Sequence, residues 1–194
     1  NVQNYRCLAL CPCLMKLYEH IVMARMLPIL KKNKAIHPNQ FGFQKGCSTM
    51  DAAYSVDSIL RSRARAGLRT FVAFIDFRKC YPSVHKAGLM SRLADVGCTD
   101  HKWLAIYSMH FSTTASILSP CGQTPSYPMT NGLREGASMS PLLYLVYANT
   151  LLTSSEQQNL GISVDSHWAG LCCYADDLVC LCESRASLQA QLDH

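Results

Sequence analysis

Apolar and polar positions alternate with two periods along this chain, and the switches between them outline its elements. From Pro12, the residues Leu14, Leu17, Tyr18, Ile21 and Val22 fall on one face of a helix. That helix is predicted to run to about Lys32, with Pro12 in its first turn and Pro28 as a candidate kink. A loop over 33–47 follows. Ser48 and Asp51 have the spacing of a capping box, opening a second helix that stops at Gly67. The stretch RTFVAFID, Arg69 to Asp76, is then almost continuously apolar and predicts a buried strand that ends on a carboxylate.

Further along, helical spacing predicts segments over about 84–96, with Gly97 as the stop, and over 99–111. Residues 113–129, with Pro120 and Gly122 near the middle, read as two strands joined by a turn. Ser140-Pro141 opens a strongly apolar helix to about Thr153. Apolar strands at 170–174 and 178–182 flank Ala175-Asp176-Asp177, and Ser184 caps a last helix. Helices come in groups between strands, which predicts an α+β fold rather than a doubly wound sheet.

The 194 residues suffice for one domain, and 49% hydrophobic against 16% charged residues excludes a disordered chain. The longest apolar stretch, 141–152, is too short to span a bilayer and carries Asn149. The start lacks the pattern of a signal peptide and begins without methionine, as a fragment would. A net charge of +5 is compatible with a polyanionic partner. The basic runs Lys31, Lys32, Lys34 and Arg61, Arg63, Arg65, Arg69 are more economically read as solvated helix faces. Eleven cysteines show no paired Cys-x-x-Cys spacing, so buried reduced thiols inside a cell are expected rather than zinc.

The sharpest chemical feature is Asp176-Asp177 between two very apolar strands. A hairpin turn and a divalent cation site, built of hard oxygen ligands, explain the pair equally well when it is taken alone. Asp76 also ends an apolar strand. If the two segments are neighbours in one sheet, three carboxylates converge at one edge, as two-metal nucleotidyl transfer requires.

Taken in order, several blocks resemble the reverse transcriptase domain of non-LTR (LINE-type) retrotransposons. They are Asn4-Tyr5-Arg6 with LALCPCLMKLYEHIVMARM; Gln40-Phe41-Gly42-Phe43 with Gly46, Ser48 and Thr49; and Phe74-Ile75-Asp76-Phe77-Arg78-Lys79 with Tyr81. Gly132-Leu133-Arg134 with Gly136, Ser140 and Pro141, and then Tyr174-Ala175-Asp176-Asp177, complete the series. The resemblance implies an RNA-directed DNA polymerase with right-hand architecture. Residues 1–68 would be fingers, and 69–194 an antiparallel palm with some fingers-type insertions; the thumb would lie beyond the chain. It implies two Mg²⁺ ions, replaceable by Mn²⁺, held by Asp76, Asp176, Asp177 and the Phe77 carbonyl. Tyr81 would exclude the ribose 2′-OH, and Tyr174 would pack near the primer terminus. The loop from Phe41 to Thr49 would cover the incoming nucleotide. The implied partners are an RNA template, a DNA primer and dNTPs, with no membrane, in an intracellular and nuclear setting.

Three positions depart from the family pattern. Gln44 stands where arginine usually grips the triphosphate, leaving Lys45 to supply a point charge. Glu135 replaces a usual glutamine and would repel dNTP phosphates unless paired, with Arg134 the candidate partner, beside Gly136. Pro82 follows the gate in place of an acidic residue. The alternative reading is a catalytically degenerate fragment that at most binds nucleic acid.

Overall fold

The structure, a computed structural model, describes residues 8–111 and 113–194. The block Asn4-Tyr5-Arg6 lies outside the described residues. In chain order the first elements are α1 (Cys13–Lys32), α2 (Thr49–Arg65), β1 (Phe71–Asp76), α3 (Cys80–Ser83), α4 (Lys86–Asp95) and α5 (Asp100–Phe111). Then come β2 (Thr114–Ala115), β3 (Leu118–Ser119), β4 (Gly122–Gln123), β5 (Tyr127–Pro128) and α6 (Ser140–Gln157). Last are β6 (Ser163–Val164), β7 (His167–Trp168), β8 (Leu171–Tyr174), β9 (Asp177–Cys182) and α7 (Arg185–Asp193). This is the expected α+β class. No described helix is long and apolar enough to cross a membrane.

The chain divides into two compact units. The first joins the residues up to Ala35 with Lys79–Tyr147, the second Ile36–Arg78 with Ala148–His194. In the first unit, α1 and α4 pack against α5. The ring of Trp103 stacks on Tyr107, and Tyr107 on Phe111, because i,i+4 residues share one helix face. The strand pair expected over 113–129 is two short nested ladders, β2–β5 outside β3–β4.

The predicted apolar face of α1 is corrected. Leu14, Leu17, Tyr18 and Ile21 are exposed, while Glu19, Val22, Met26 and Leu30 are buried. The helix is turned so that Glu19 meets Arg134 and the backbone N–H groups of Ser138 and Met139. A buried carboxylate needs such partners, and here they outweigh the simple apolar count. Helix α1 continues through Pro28.

The second unit is built on a three-stranded antiparallel sheet in the order β1-β9-β8. One face of it, with Leu171, Cys173, Leu178 and Cys180, packs with Leu152 and with half-buried Ala73, Ile75, Trp168 and Leu188. Burial pushes the thiols of Cys172 and Cys180 up to about 11, so these cysteines act as small apolar groups. Cys13, Cys47 and Cys121 are exposed, against the expectation of buried thiols. The capping box forms as read: Asp51 N–H donates to Ser48 Oγ, and Ser48 N–H to Asp51. The Ser48 hydroxyl, which donates to the Asp51 carboxylate at 2.6 Å, and then the Ser48 N–H hold that carboxyl below its ordinary value.

Two further expectations fail here. Strand β1 was expected to be buried but is an edge strand, and Phe74 is 78% exposed. Helix α2 lies over β8, where Cys172 Sγ contacts the Ala52 carbonyl at 3.9 Å, and so leaves the β1 side of that face open. Nor does Arg63 belong to a solvated basic face. It is buried, donating to Thr70 Oγ1 at 2.9 Å and to the Arg69 carbonyl at 3.1 Å, with Glu183 3.5 Å away.

Candidate active site

Strands β1 and β9 pair from Phe71↔Cys182 to Asp76↔Asp177, and β8 pairs with β9 as far as Tyr174↔Asp177. Directly opposed residues of an antiparallel sheet share a face. Asp76, Asp177 and Tyr174 therefore form one row at the sheet's end, with Phe74, Val179 and Cys172 as the next row on that face. Asp76 and Asp177 are exposed, and Asp176 is half-buried. Ala175 and Asp176 make the two-residue turn of the β8–β9 hairpin, with Ala175 in the left-handed region at φ 57°. The acidic pair is thus split: Asp176 rides on the turn, while Asp177 is the first residue of β9. A groove of about 380 Å³ runs from this row along α2, between Val56 and Leu60 on one side and Phe74 and Tyr174 on the other.

Three carboxylates at one sheet end supply hard oxygen donors of the kind a divalent cation takes. Among the described residues, no three His, Cys, Asp or Glu side chains are already gathered closely enough to hold an ion. The donors fit by type and by register. Phe77, just beyond β1, is exposed.

The turn is braced by the segment Asn39–Gly42, which pairs along the edge of β8. Phe41 N–H donates to the Cys173 carbonyl at 2.8 Å, and Cys173 N–H to the Asn39 carbonyl at 2.9 Å. Gln40 is buried, and its Oε1 accepts from Ala175 N–H at 2.8 Å and from Gly42 N–H at 2.9 Å. Its Nε2 lies 3.3 Å from the Ala175 carbonyl. Gly42 is needed for this approach, since a Cβ there would sit 2.2 Å from Ala175 N. Gln44, a candidate for the triphosphate, instead donates its amide to the Gln40 carbonyl at 2.7 Å and closes that turn. Lys45 is exposed. Sequence reading had given Gln40 no role; nothing in its spacing marks a side chain that bonds a turn 135 residues on.

The remaining candidates lie in the first unit. Tyr81 is half-buried with its ring 5.2 Å from Tyr144, and its carbonyl accepts from Leu133 N–H at 2.8 Å. Gly132 fits beside Pro82 only without a side chain, at φ 81° and with a would-be Cβ 2.6 Å from the Pro82 carbonyl. The expectation that Arg134 partners Glu135 is corrected: Arg134 Nη2 donates to fully buried Glu19 at 3.2 Å. The Glu135 carbonyl accepts from Ala9 N–H at 2.6 Å, and Gly136 is left-handed at φ 101° with its Cβ position 3.1 Å from the Ala9 carbonyl.

Acidic residues from two strands, set at one sheet end, are the donor types that two-metal phosphoryl transfer uses. A sequence profile of the family described as reverse transcriptase (RNA-dependent DNA polymerase) matches residues 1–194. The chain belongs to the reverse transcriptase family. It is 30% identical over 189 residues to a putative 115 kDa protein in the type-1 retrotransposable element R1DM of Drosophila melanogaster. It is 25% identical over 190 residues to the RNA-directed DNA polymerase from mobile element jockey of the same fly. The alignments cover 96% and 98% of this reverse transcriptase chain but 17% and 20% of those relatives. The expected likeness to non-LTR retrotransposons is thereby borne out. Among solved structures, a Candida tropicalis telomerase in complex with the TWJ fragment of telomeric RNA shares the fold. It has TM-score 0.64 and 14% identity, and the match covers 90% of this chain and 29% of that one. Reverse transcriptases generally depend on a divalent metal.

Proposed function

We propose that this domain extends a DNA primer on an RNA template with dNTPs, as part of a retroelement protein acting in the nucleus. The observation that carries the reading is the register pair Asp76–Asp177, with Asp176 on the adjoining turn. The fingers would take residues 1–68 and the palm 69–194. Asp76, Asp176, Asp177 and the Phe77 carbonyl are the residues that would hold two Mg²⁺ ions. Bound there, the ions would supply Lewis acidity to the attacking 3′-oxygen and to the departing pyrophosphate. The 3′-oxygen bonds to the α-phosphorus as the bond to the bridging oxygen breaks. Lys45, exposed, would contribute charge to the triphosphate. Tyr81 would exclude the ribose 2′-OH, and Tyr174 would support the primer end.

Two observations favour the second reading, a degenerate copy: Gln44 is turned onto Gln40, and Glu135 brings a carboxylate to the motif containing Arg134. Primer extension with dNTPs and with rNTPs, on matched RNA and DNA templates, tests both. The polymerase reading expects extension that needs a divalent cation, fails with Asp176→Asn, and admits rNTPs on Tyr81→Ala. Absence of extension, restored by Glu135→Gln, marks a decayed enzyme. Absence of extension in both proteins overturns the polymerase reading.

A further inference from the structure

Asp176 sits on, and Asp177 directly follows, a turn whose backbone is inherently unfavourable. Ala175 occupies the left-handed region, which costs a residue bearing a Cβ roughly a five- to thirty-fold loss of population. Glycine would adopt it freely, but here the residue is alanine. Something else must hold it. The Ala175 N–H is taken by the Gln40 side chain at 2.8 Å, and the Gln40 Nε2 points at the Ala175 carbonyl at 3.3 Å. One amide side chain thus meets both backbone groups of the strained residue. Gln40 is itself over-determined: it is 2% exposed, and its Oε1 also accepts from Gly42 N–H. Its backbone is anchored on both sides, by the Asn39–Cys173 and Phe41–Cys173 bonds and by Gln44 on its carbonyl. Upstream, His37 Nδ1 accepts from Asn39 N–H at 3.0 Å, and Asn39 Nδ2 donates to the Leu171 carbonyl at 3.0 Å. The groups that reach the turn itself are the amides of Gln40, so the brace places no charge beside the carboxylates.

We infer that Gln40 is a positioning residue for the catalytic turn, holding Ala175 left-handed and so fixing where Asp176 and Asp177 stand at the sheet's end for a cation to draw on. The inference rests on the proposed metal-binding role of those aspartates. Three variants of this chain separate it from a merely structural role: Gln40→Leu, which keeps bulk and removes both bonds to Ala175 together with the one from Gly42 N–H; Ala175→Gly, which removes the cost of the left-handed backbone; and the double variant. Mn²⁺ binding is followed by electron paramagnetic resonance, and amide hydrogen exchange is followed at Ala175 and in β9. Gln40→Leu should weaken Mn²⁺ binding about tenfold and speed exchange at Ala175 by at least tenfold, with β9 protection retained. Adding Ala175→Gly should recover most of the lost affinity, because the backbone then needs no brace. Unchanged Mn²⁺ affinity with a lost Gln40 amide overturns the inference, as does a loss that Ala175→Gly leaves untouched. If the parent chain binds no Mn²⁺, the metal-site reading has failed; exchange at Ala175 still decides whether Gln40 holds the turn. Should Gln40→Leu not fold, fast exchange at Ala175 in the parent chain would overturn the brace outright.

Discussion

Around Arg134 in the first unit, charge is buried and consumed by the fold; around Ala175 in the second, charge stands at the surface on a neutral frame. Glu19 is fully enclosed and shared between Arg134 and two backbone N–H groups at the start of α6. Lys86, also buried, donates to the carbonyls of His110, at 2.5 Å, and Met129. By contrast Asp76 and Asp177 are exposed, and the groups holding the turn between β8 and β9 are amides. The contrast separates charges conspicuous in sequence into those buried to hold structure, such as Arg134 with Glu19, and those left at the surface, such as Asp76 and Asp177, where a ligand can reach them.

The largest effect is expected on breaking the buried pair. Glu19→Ala leaves the Arg134 guanidinium and the Ser138 and Met139 N–H groups without their carboxylate, and should destabilise the chain by about 3–5 kcal/mol in a urea titration. A loss below about 1 kcal/mol would place this pair with ordinary surface bridges.

Next comes pH. His110 is buried beside Arg134 and Lys86; burial first, then those two cations, push its pKa from 6.5 down to about 3. The unfolded chain accepts a proton near 6.5 that the folded chain refuses until about 3, so this contribution is full above 6.5 and is lost as pH falls through that window. The loss should amount to a few kcal/mol at the acid end, at about 1.4 kcal/mol per unit. His110→Leu should flatten the acid limb of stability against pH; a limb of unchanged slope would show that His110 does not set it.

A smaller effect sharpens the contrast within the second unit. Arg63→Met removes a buried guanidinium from Thr70 and the Arg69 carbonyl and should cost about 1.5–3 kcal/mol. Arg61→Ala, on the exposed turn of the same helix beside Asp57, should cost no more than about 0.5 kcal/mol. Equal losses in thermal or urea unfolding would remove the distinction between the two arginines.

What sequence reading captured follows the same division. Local signals were legible: the Ser48–Asp51 and Ser184 caps, Gly67 and Gly97 as helix stops, and strands on both sides of the acidic turn all rest on near-neighbour chemistry. The convergence of Asp76 with Asp177 was legible only as a condition, that two strands be neighbours, and the register meets it. Long-range polar pairing was not legible. Glu19 with Arg134 is separated by 115 residues and Gln40 with Ala175 by 135, and no periodicity encodes either. The face of α1 was misread for that reason, since apolar counting cannot see a carboxylate that will find a buried partner. The openness of Phe74 was missed because a continuous apolar run does not reveal which strand becomes an edge.

The central claim is that the sheet's end, Asp76 with Asp177 and Asp176 on the turn, is one metal site. Mn²⁺ titration of this chain by electron paramagnetic resonance tests it most directly, with Asp76→Asn, Asp177→Asn and the double variant alongside, and Asp193→Asn on α7 as control. The account predicts at least a tenfold loss of affinity for each single substitution, a double variant short of the sum, and no change for the control. Affinity indifferent to Asp76 and Asp177, or equally lowered by Asp193→Asn, would contradict it.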